Sequence, residues 1–290
     1  MNIVLFGGSG FVGRALIAKL LERGHTVSVV SRSGRALPGV RVIEGPPFAE
    51  PTRARALAGQ NVAVNLIGIL HGSPEHFRQV HVDLAEAIAE SCLMLGVPRL
   101  VHMSALHANP HGPSHYLRSK GEGEAGVHAL GAKGLEVISL RPSVIFGAED
   151  SFLNRFARLL RLAPGVMFLP GAQARFAPVY VGDVAEVFVQ AIEGQLPAGT
   201  RLDLCGPRDY ALIELVRLVA EWSGHKRLIL PMPDALAQLM ALGFELLPNP
   251  PLTRDNLASM RIDSLCAADG PRQPTALEEV APAYLGGNKT

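Results

Sequence analysis

A glycine-rich run, Gly7-Gly8-Ser9-Gly10-Phe11-Val12-Gly13, follows the apolar segment Ile3-Val4-Leu5-Phe6 and opens a periodic stretch marked by Phe11, Leu16, Ile17, Leu20 and Leu21. A strand that ends in Gly7, turns through Gly10 and enters a helix with Gly13 in its first turn exposes bare backbone N–H groups beside the positive helix end. Side chains at those positions would hold a pyrophosphate away. A glycine fingerprint alone is a weak signal; flanked by a strand and a helix it predicts a dinucleotide site.

The second strand, Thr26-Val27-Ser28-Val29-Val30, ends in Ser31-Arg32-Ser33. An NAD-selective site places an Asp or Glu there to accept from the ribose 2′-hydroxyl, and that carboxylate is missing. Arg32, with hydroxyls on both sides and Arg35 beyond, suits a 2′-phosphate, which a guanidinium meets with paired charge-assisted hydrogen bonds. NADP(H) is therefore expected ahead of NAD(H), the alternative for Arg32 being a solvated loop charge.

Strand and helix patterns alternate through the first half, with strands at 3–6, 26–31, 40–44, 62–67, 99–103 and 135–140. Helices are expected to about 23, around 53–58, over 75–95 and over 116–130. That alternation predicts an α/β fold, a doubly wound parallel Rossmann sheet. Beyond Pro142 prolines divide the chain into short pieces, including helices near 151–162, 183–194 and 211–223. The expected division is 1–142 as nucleotide-binding core and 143–290 as a smaller mixed α/β substrate lobe, some segments returning to the core sheet. From about Pro271 the Pro, Ala and Gly content predicts loose order.

Lys plus Arg number 27 against 26 Asp plus Glu, so no global field draws the chain to nucleic acid or to an anionic bilayer. Cys92, Cys205 and Cys266 are odd in number and lack metal-ligand spacing, which predicts buried thiols in a reducing compartment and no disulfide. The first residues lack the pattern of a secretory signal, so a cytoplasmic protein is expected. No apolar run reaches the span of about 18 residues that crosses a membrane, Ala235 to Leu247 coming nearest. Within it Leu236, Leu239, Met240, Gly243, Phe244 and Leu247 form a stripe expected to pack in the core or against a protein partner; its lack of Lys and Arg disfavours anionic lipid.

His107, His111 and His115 recur at four-residue intervals, but Pro110, Gly112 and Pro113 preclude a helix there, so no metal site is expected. Tyr116 and Lys120 do share a helical face. An ammonium beside a phenol favours the phenolate, which equips Tyr116 to exchange a proton with a carbonyl or alcohol. Ser104, at the end of the preceding strand, is placed to bond the same substrate oxygen.

Val64-Asn65-Leu66-Ile67-Gly68, Val101-His102-Met103-Ser104-Ala105, Tyr116-Leu117-Arg118-Ser119-Lys120, Arg141-Pro142-Ser143-Val144-Ile145-Phe146-Gly147 and Pro178-Val179-Tyr180-Val181-Gly182-Asp183 carry a resemblance to the extended and atypical short-chain dehydrogenase/reductase superfamily. Within it the chain is similar to the nucleotide-binding accessory subunit of respiratory complex I and its bacterial homologues. The resemblance implies either an NADP-dependent oxidoreductase or epimerase with a Ser104-Tyr116-Lys120 site, acting on an unidentified small molecule, or a non-catalytic NADPH-binding structural or assembly factor of a respiratory complex. A respiratory-complex or homo-oligomer contact is then expected through Leu236–Leu247. The cofactor set is Gly7, Ser9, Gly10, Phe11, Val12, Gly13, Ser31, Arg32, Ser33, Leu66, Gly68, Lys120 and Pro142, with Gly68 near the ribose and Pro142 on the nicotinamide side. Three departures stand out against the superfamily: Glu44-Gly45-Pro46-Pro47 where an adenine-binding Asp is usual, Ala105 and Leu106 where the serine is usual, and His81 where Asn is frequent.

Overall fold

In the computed structural model, residues 1–35, 37–248 and 250–286 are described. Strand β1 (Asn2–Phe6) leads into helix α1 (Phe11–Glu22), whose buried residues Val12, Gly13, Leu16, Ile17 and Leu20 repeat at helical spacing. Then follow β2 (Thr26–Ser31), β3 (Arg41–Glu44), α2 (Glu50–Leu57), β4 (Val62–Asn65), α3 (Pro74–Arg78), α4 (Leu84–Met94), β5 (Arg99–Met103), α5 (His115–Ala129) and β6 (Glu136–Pro142). With strand Arg201–Leu204 they form a seven-stranded sheet ordered Arg201–Leu204, β6, β5, β4, β1, β2, β3. Every pairing from β3 across to β6 is parallel. These strands are apolar on both faces, as a sheet covered on both sides requires. The chain order reverses at β1, between β2 and β4, which opens a crevice at the carboxyl ends of those strands. The doubly wound Rossmann sheet read from the sequence is the fold.

The chain divides into two units, Met1–Arg141 with Val184–Asp203, and Pro142–Asp183 with Leu204 onward. The first is held by a core of Val4, Phe6, Ile43, Leu57, Leu84, Ile88, Leu100 and Val137 between sheet and helices. In the second, Leu153, Leu160, Leu212, Leu215, Val216, Val219, Leu277 and Leu285 pack three helices, Leu153–Leu162, Leu212–Trp222 and Leu277–Leu285.

The structure corrects four expectations. The helix expected over 75–95 is interrupted by a π-turn, Gln79–Asp83, between α3 and α4. There α5 packs so closely that a Cβ at Gly123 would fall 1.9 Å from the His81 carbonyl oxygen, and the extra residue per turn accommodates that approach. Cys205 and Cys266, both in the second unit, form a disulfide, leaving Cys92 as a buried thiol. Their separation of 61 residues conceals proximity created when Arg272 pairs with Cys205. Of the segment beyond Pro271, residues 287–290 lie outside the described residues, and the rest carries a helix whose buried Leu277, Ala281 and Leu285 repeat every fourth residue around Pro282. Finally, helix Asp234–Phe244 buries only Ala237 and Ala241, while Leu236, Leu239 and Leu242 face outward, so its apolar stripe is not core. Among the described residues no helix is long and apolar enough to cross a membrane.

Candidate functional site

The glycine-rich turn is built by exclusion of side chains. Gly7 has φ +88°, a left-handed backbone that glycine adopts without strain, and its carbonyl accepts the Gly10 N–H at 3.0 Å. A Cβ at Gly8 would lie 2.7 Å from the Val29 side chain, and one at Gly13 would lie 2.4 Å from the Gly8 carbonyl oxygen. Gly10 caps α1 without a side chain, and no acidic residue occupies its first turn. The positive helix end and its N–H groups are thereby kept for an anion. Arg14 anchors the turn by donating to the Ser9 carbonyl. Ser9 and Gly10 are exposed, Phe11 is half-buried and Val12 is buried beneath them. These residues fit a pyrophosphate.

At the end of β2, Ser9, Ser31, Arg32 and Ser33 line an open cavity of about 400 Å³. Ser31 is buried, with its hydroxyl 3.4 Å from that of Ser33, while Arg32 is exposed. The parallel register sets Glu44 beside Ser31. A Cβ at Gly34 would sit 2.6 Å from the Glu44 carboxylate, so a carboxylate does reach this loop. It comes from the neighbouring strand, where the sequence reading set Glu44 against an adenine-binding Asp and not against the ribose edge of β2.

Beyond β4, Leu66 N–H donates to the Phe6 carbonyl at 2.9 Å and Ile67 N–H to Asn65 Oδ1 at 3.1 Å, folding the chain over the end of β1. Gly68 follows, exposed, with the His81 ring and Lys120 Nζ just beyond its missing side chain. His81 links this loop to α5: Nε2 accepts the Ile69 N–H at 3.0 Å and Nδ1 lies 2.8 Å from Ser119 Oγ. Because a backbone N–H can only donate, Nε2 is unprotonated and the ring proton resides on Nδ1. Burial first, then the Lys120 charge, lowers the ring to about 3, so it is a neutral strut.

Helix α5 starts at Ser114, whose hydroxyl accepts the Leu117 N–H at 3.1 Å. Tyr116, half-buried, has His81 edge-on at 5.7 Å and Phe77 edge-on at 6.2 Å between ring centroids. Lys120 is buried one turn later and donates to the Met103 carbonyl at 2.5 Å. Burial lowers its ammonium to about 8, with Glu124 opposing the change. The phenol is pushed up to about 12 by burial, contrary to the lowering expected from Lys120. The ammonium is engaged by a carbonyl, and desolvation of the phenolate dominates.

Ser104 is buried at the end of β5, its N–H donating to the Leu140 carbonyl at 2.8 Å. Its hydroxyl oxygen is buried and makes no hydrogen bond among the described residues. Glu124 stands two turns beyond Tyr116 on α5; burial alone would raise its carboxyl, but hydrogen bonds from Arg141 hold it below the ordinary carboxylate range. Arg141 Nε and Arg201 Nε reach it at 2.8 Å each. Sequence reasoning missed this group, although a Glu four residues past Lys120 on the same face was readable. The loop after Ser104 contains His107 with φ +58°, and His111 N–H donates to Asn109 Oδ1 at 2.8 Å, so the histidine series is not helical. Pro142 closes β6, buried, and belongs to the second unit. Among the described residues no cluster of three or more His, Cys, Asp or Glu is placed to hold a metal.

The profile of the NAD dependent epimerase/dehydratase family matches residues 3–203, from the first residues of β1 through the strand beside β6. The chain is a member of that family. This epimerase/dehydratase-family protein is 30% identical to the mouse mitochondrial NADH dehydrogenase (ubiquinone) 1 alpha subcomplex subunit 9, over 94% of its own length and 77% of the relative's. It is 23% identical to a 4-hydroxy-2-methyl-3-oxo-4-farnesyl-3,4-dihydroquinoline-1-oxide ketoreductase of Stigmatella aurantiaca, over 83% of this chain and 79% of that one. In fold it is similar to the UDP-glucose 4-epimerase of Thermus thermophilus solved with NAD, with TM-score 0.67, 22% identity, and 90% and 97% of the two chains covered. The family match agrees with binding of a nucleotide cofactor.

Proposed function

We propose that this family member binds NADP(H) and holds it as a structural ligand, serving as a nucleotide-binding subunit or assembly factor of a respiratory complex. The reading is carried by Lys120, whose buried ammonium donates to the Met103 carbonyl, with the Tyr116 phenol raised to about 12 by burial beside it. The ammonium that would hold the charge of a phenolate is thereby engaged by the backbone. The similarity to the mouse complex I subunit over 94% of the chain supports the same conclusion.

In this reading Gly7, Ser9, Gly10, Phe11, Val12 and Gly13 cradle the pyrophosphate, and Ser31, Arg32 and Ser33 take the 2′-phosphate. Leu66, Gly68 and Lys120 bound the nicotinamide ribose. Arg32 supplies two donors to a phosphate, and its exposure leaves it free to swing onto one. Glu44 opposes it, because a carboxylate at this edge repels the 2′-phosphate and accepts from a 2′-hydroxyl.

A second reading is favoured by the shared face of Tyr116 and Lys120 on α5: an oxidoreductase or epimerase acting on a carbonyl or secondary alcohol. A bound nicotinamide would supply hydride exchange; Tyr116 would move the proton, Lys120 hold its charge and Ser104 orient the oxygen. Native mass spectrometry of the freshly purified protein, followed by NADPH turnover with carbonyl substrates, decides between them. Retained NADP(H) without turnover supports the structural reading. Turnover lost in Tyr116→Phe replaces it with the enzymatic one.

A further inference from the structure

The second unit carries an apolar face that the coenzyme reading does not use. Strands Val166–Leu169 and Leu228–Pro231 pair in parallel, with Val166 beside Leu228 and Phe168 beside Leu230. Side chains alternate along a strand, so these four share one face of the ribbon and Met167, Leu169 and Ile229 share the other. The latter face packs into the core. The former does not: Val166, Phe168, Leu228 and Leu230 are 40%, 56%, 58% and 36% exposed. Single exposed apolar residues are ordinary, but four on one short face form a patch.

The charges around the ribbon select its occupant. Residues 151–182 contain Arg155, Arg158, Arg161 and Arg175 without a carboxylate, and residues 222–233 contain Lys226 and Arg227 without one, in a chain of net charge +1. Because the strands are parallel, both begin at the same end of the ribbon. Arg161 and Leu162 lead into one strand, Lys226 and Arg227 into the other, and Arg227 Nε donates to the Ala163 carbonyl at 2.8 Å, fixing the two approaches side by side. Arg158, Arg161, Leu162 and Lys226 are exposed there. Glu221, exposed on helix Leu212–Trp222, precedes this end, and Asp234 follows the opposite one. An apolar face rimmed by cations matches a bilayer of anionic lipid. Helix Asp234–Phe244, which has no cation, does not meet that description.

We propose that the exposed face of the Val166–Leu169 and Leu228–Pro231 ribbon docks on an anionic lipid surface, its apolar side chains entering the acyl boundary while Arg158, Arg161 and Lys226 meet lipid phosphates. The inference stands independently of coenzyme choice and catalysis.

The test is co-sedimentation of the full chain with vesicles of phosphatidylcholine alone or mixed with phosphatidylglycerol. Binding to the mixed vesicles is expected, weakening about five-fold for each of Arg161→Gln and Lys226→Gln, in line with one surface cation each. The double variant Phe168→Ser/Leu230→Ser should lose at least about ten-fold through lost apolar burial. Thermal melts establish that each variant is folded, and the charge variants provide the reading if the serine variant does not fold. Failure to sediment with phosphatidylglycerol vesicles overturns the proposal, as does affinity unchanged in the folded variants. A concentration-dependent dimer dissolved by Phe168→Ser/Leu230→Ser would also overturn it, assigning the face to a second copy of the chain.

Discussion

The imidazole of His81 donates from Nδ1 to the Ser119 hydroxyl across 2.8 Å, and the hydroxyl passes its own proton to the Tyr116 carbonyl at 3.0 Å. With Ile69 N–H on its other nitrogen, the ring couples the loop beyond β4 to α5 only while neutral. The folded ring titrates at about 3 against an ordinary 6.5, and His128 at about 4, both lowered first by burial. Below pH 6.5 the unfolded chain takes up protons that the folded rings refuse, so stability falls as pH drops from about 6.5 toward 4. Melting temperature should fall by about 3 °C per pH unit for each such histidine, and His81→Gln should flatten the slope. Melts across a pH series at constant ionic strength check this.

Gly13→Ala should destabilise the first unit and weaken nucleotide binding together. The new methyl would stand 2.4 Å from the Gly8 carbonyl oxygen, with backbone on the opposing side, and overpacking of this kind costs about 1–3 kcal/mol. Denaturant unfolding with and without NADPH measures both effects. An unchanged midpoint and an unchanged NADPH-induced shift would contradict the cradle.

Arg32→Ala should lower NADPH affinity about ten- to hundred-fold while changing NADH affinity little, since only the 2′-phosphate loses charge-assisted bonds. Glu44→Gln should act in the opposite direction, improving NADPH relative to NADH by removing a repelling carboxylate. Fluorescence titration with both coenzymes reads the ratio directly. Equal losses for the two coenzymes in Arg32→Ala would remove this arginine from the 2′ site.

Tyr116→Phe should leave NADPH affinity within about ten-fold, because the phenol contributes at most an ordinary hydrogen bond to the ribose. Raising pH through about 8 removes the Lys120 charge and should weaken NADPH binding in wild type and Tyr116→Phe alike. Lys120→Met should abolish that pH dependence. Isothermal titration at several pH values provides the measurement.

Reduction of the Cys205–Cys266 bond should lower the stability of the second unit by about 2–4 kcal/mol, reflecting release of the 61-residue loop. Unfolding with and without dithiothreitol, compared with Cys205→Ser, checks this. Cys92, buried and raised to about 12 by desolvation, should react with thiol reagents only on unfolding.

The sheet was legible because β1 to β6 are apolar runs punctuated by glycine and proline, and because Gly13 could be read from its position inside a helix. What escaped depends on neighbours remote in sequence. Glu44 reaches the β2 loop through strand register, and Cys205 meets Cys266 through a chain return at Arg272. The Tyr116 phenol was misread for a related reason: spacing placed Lys120 on its face, but only packing shows the ammonium bound to Met103. The π-turn at Gln79–Asp83 lies against the bare surface of Gly123 on a different helix, a contact that no local pattern announces.

Strand Arg201–Leu204 lies beyond β6, though 58 residues of sequence separate Pro142 from Arg201. A protein truncated after Arg141 would present β6 as a naked edge, its amides open to any extended peptide. The nucleotide-binding part cannot therefore be excised by a single cut; fragments made that way should self-associate, and only a deletion that splices 184–203 back onto residue 141 would cap the sheet.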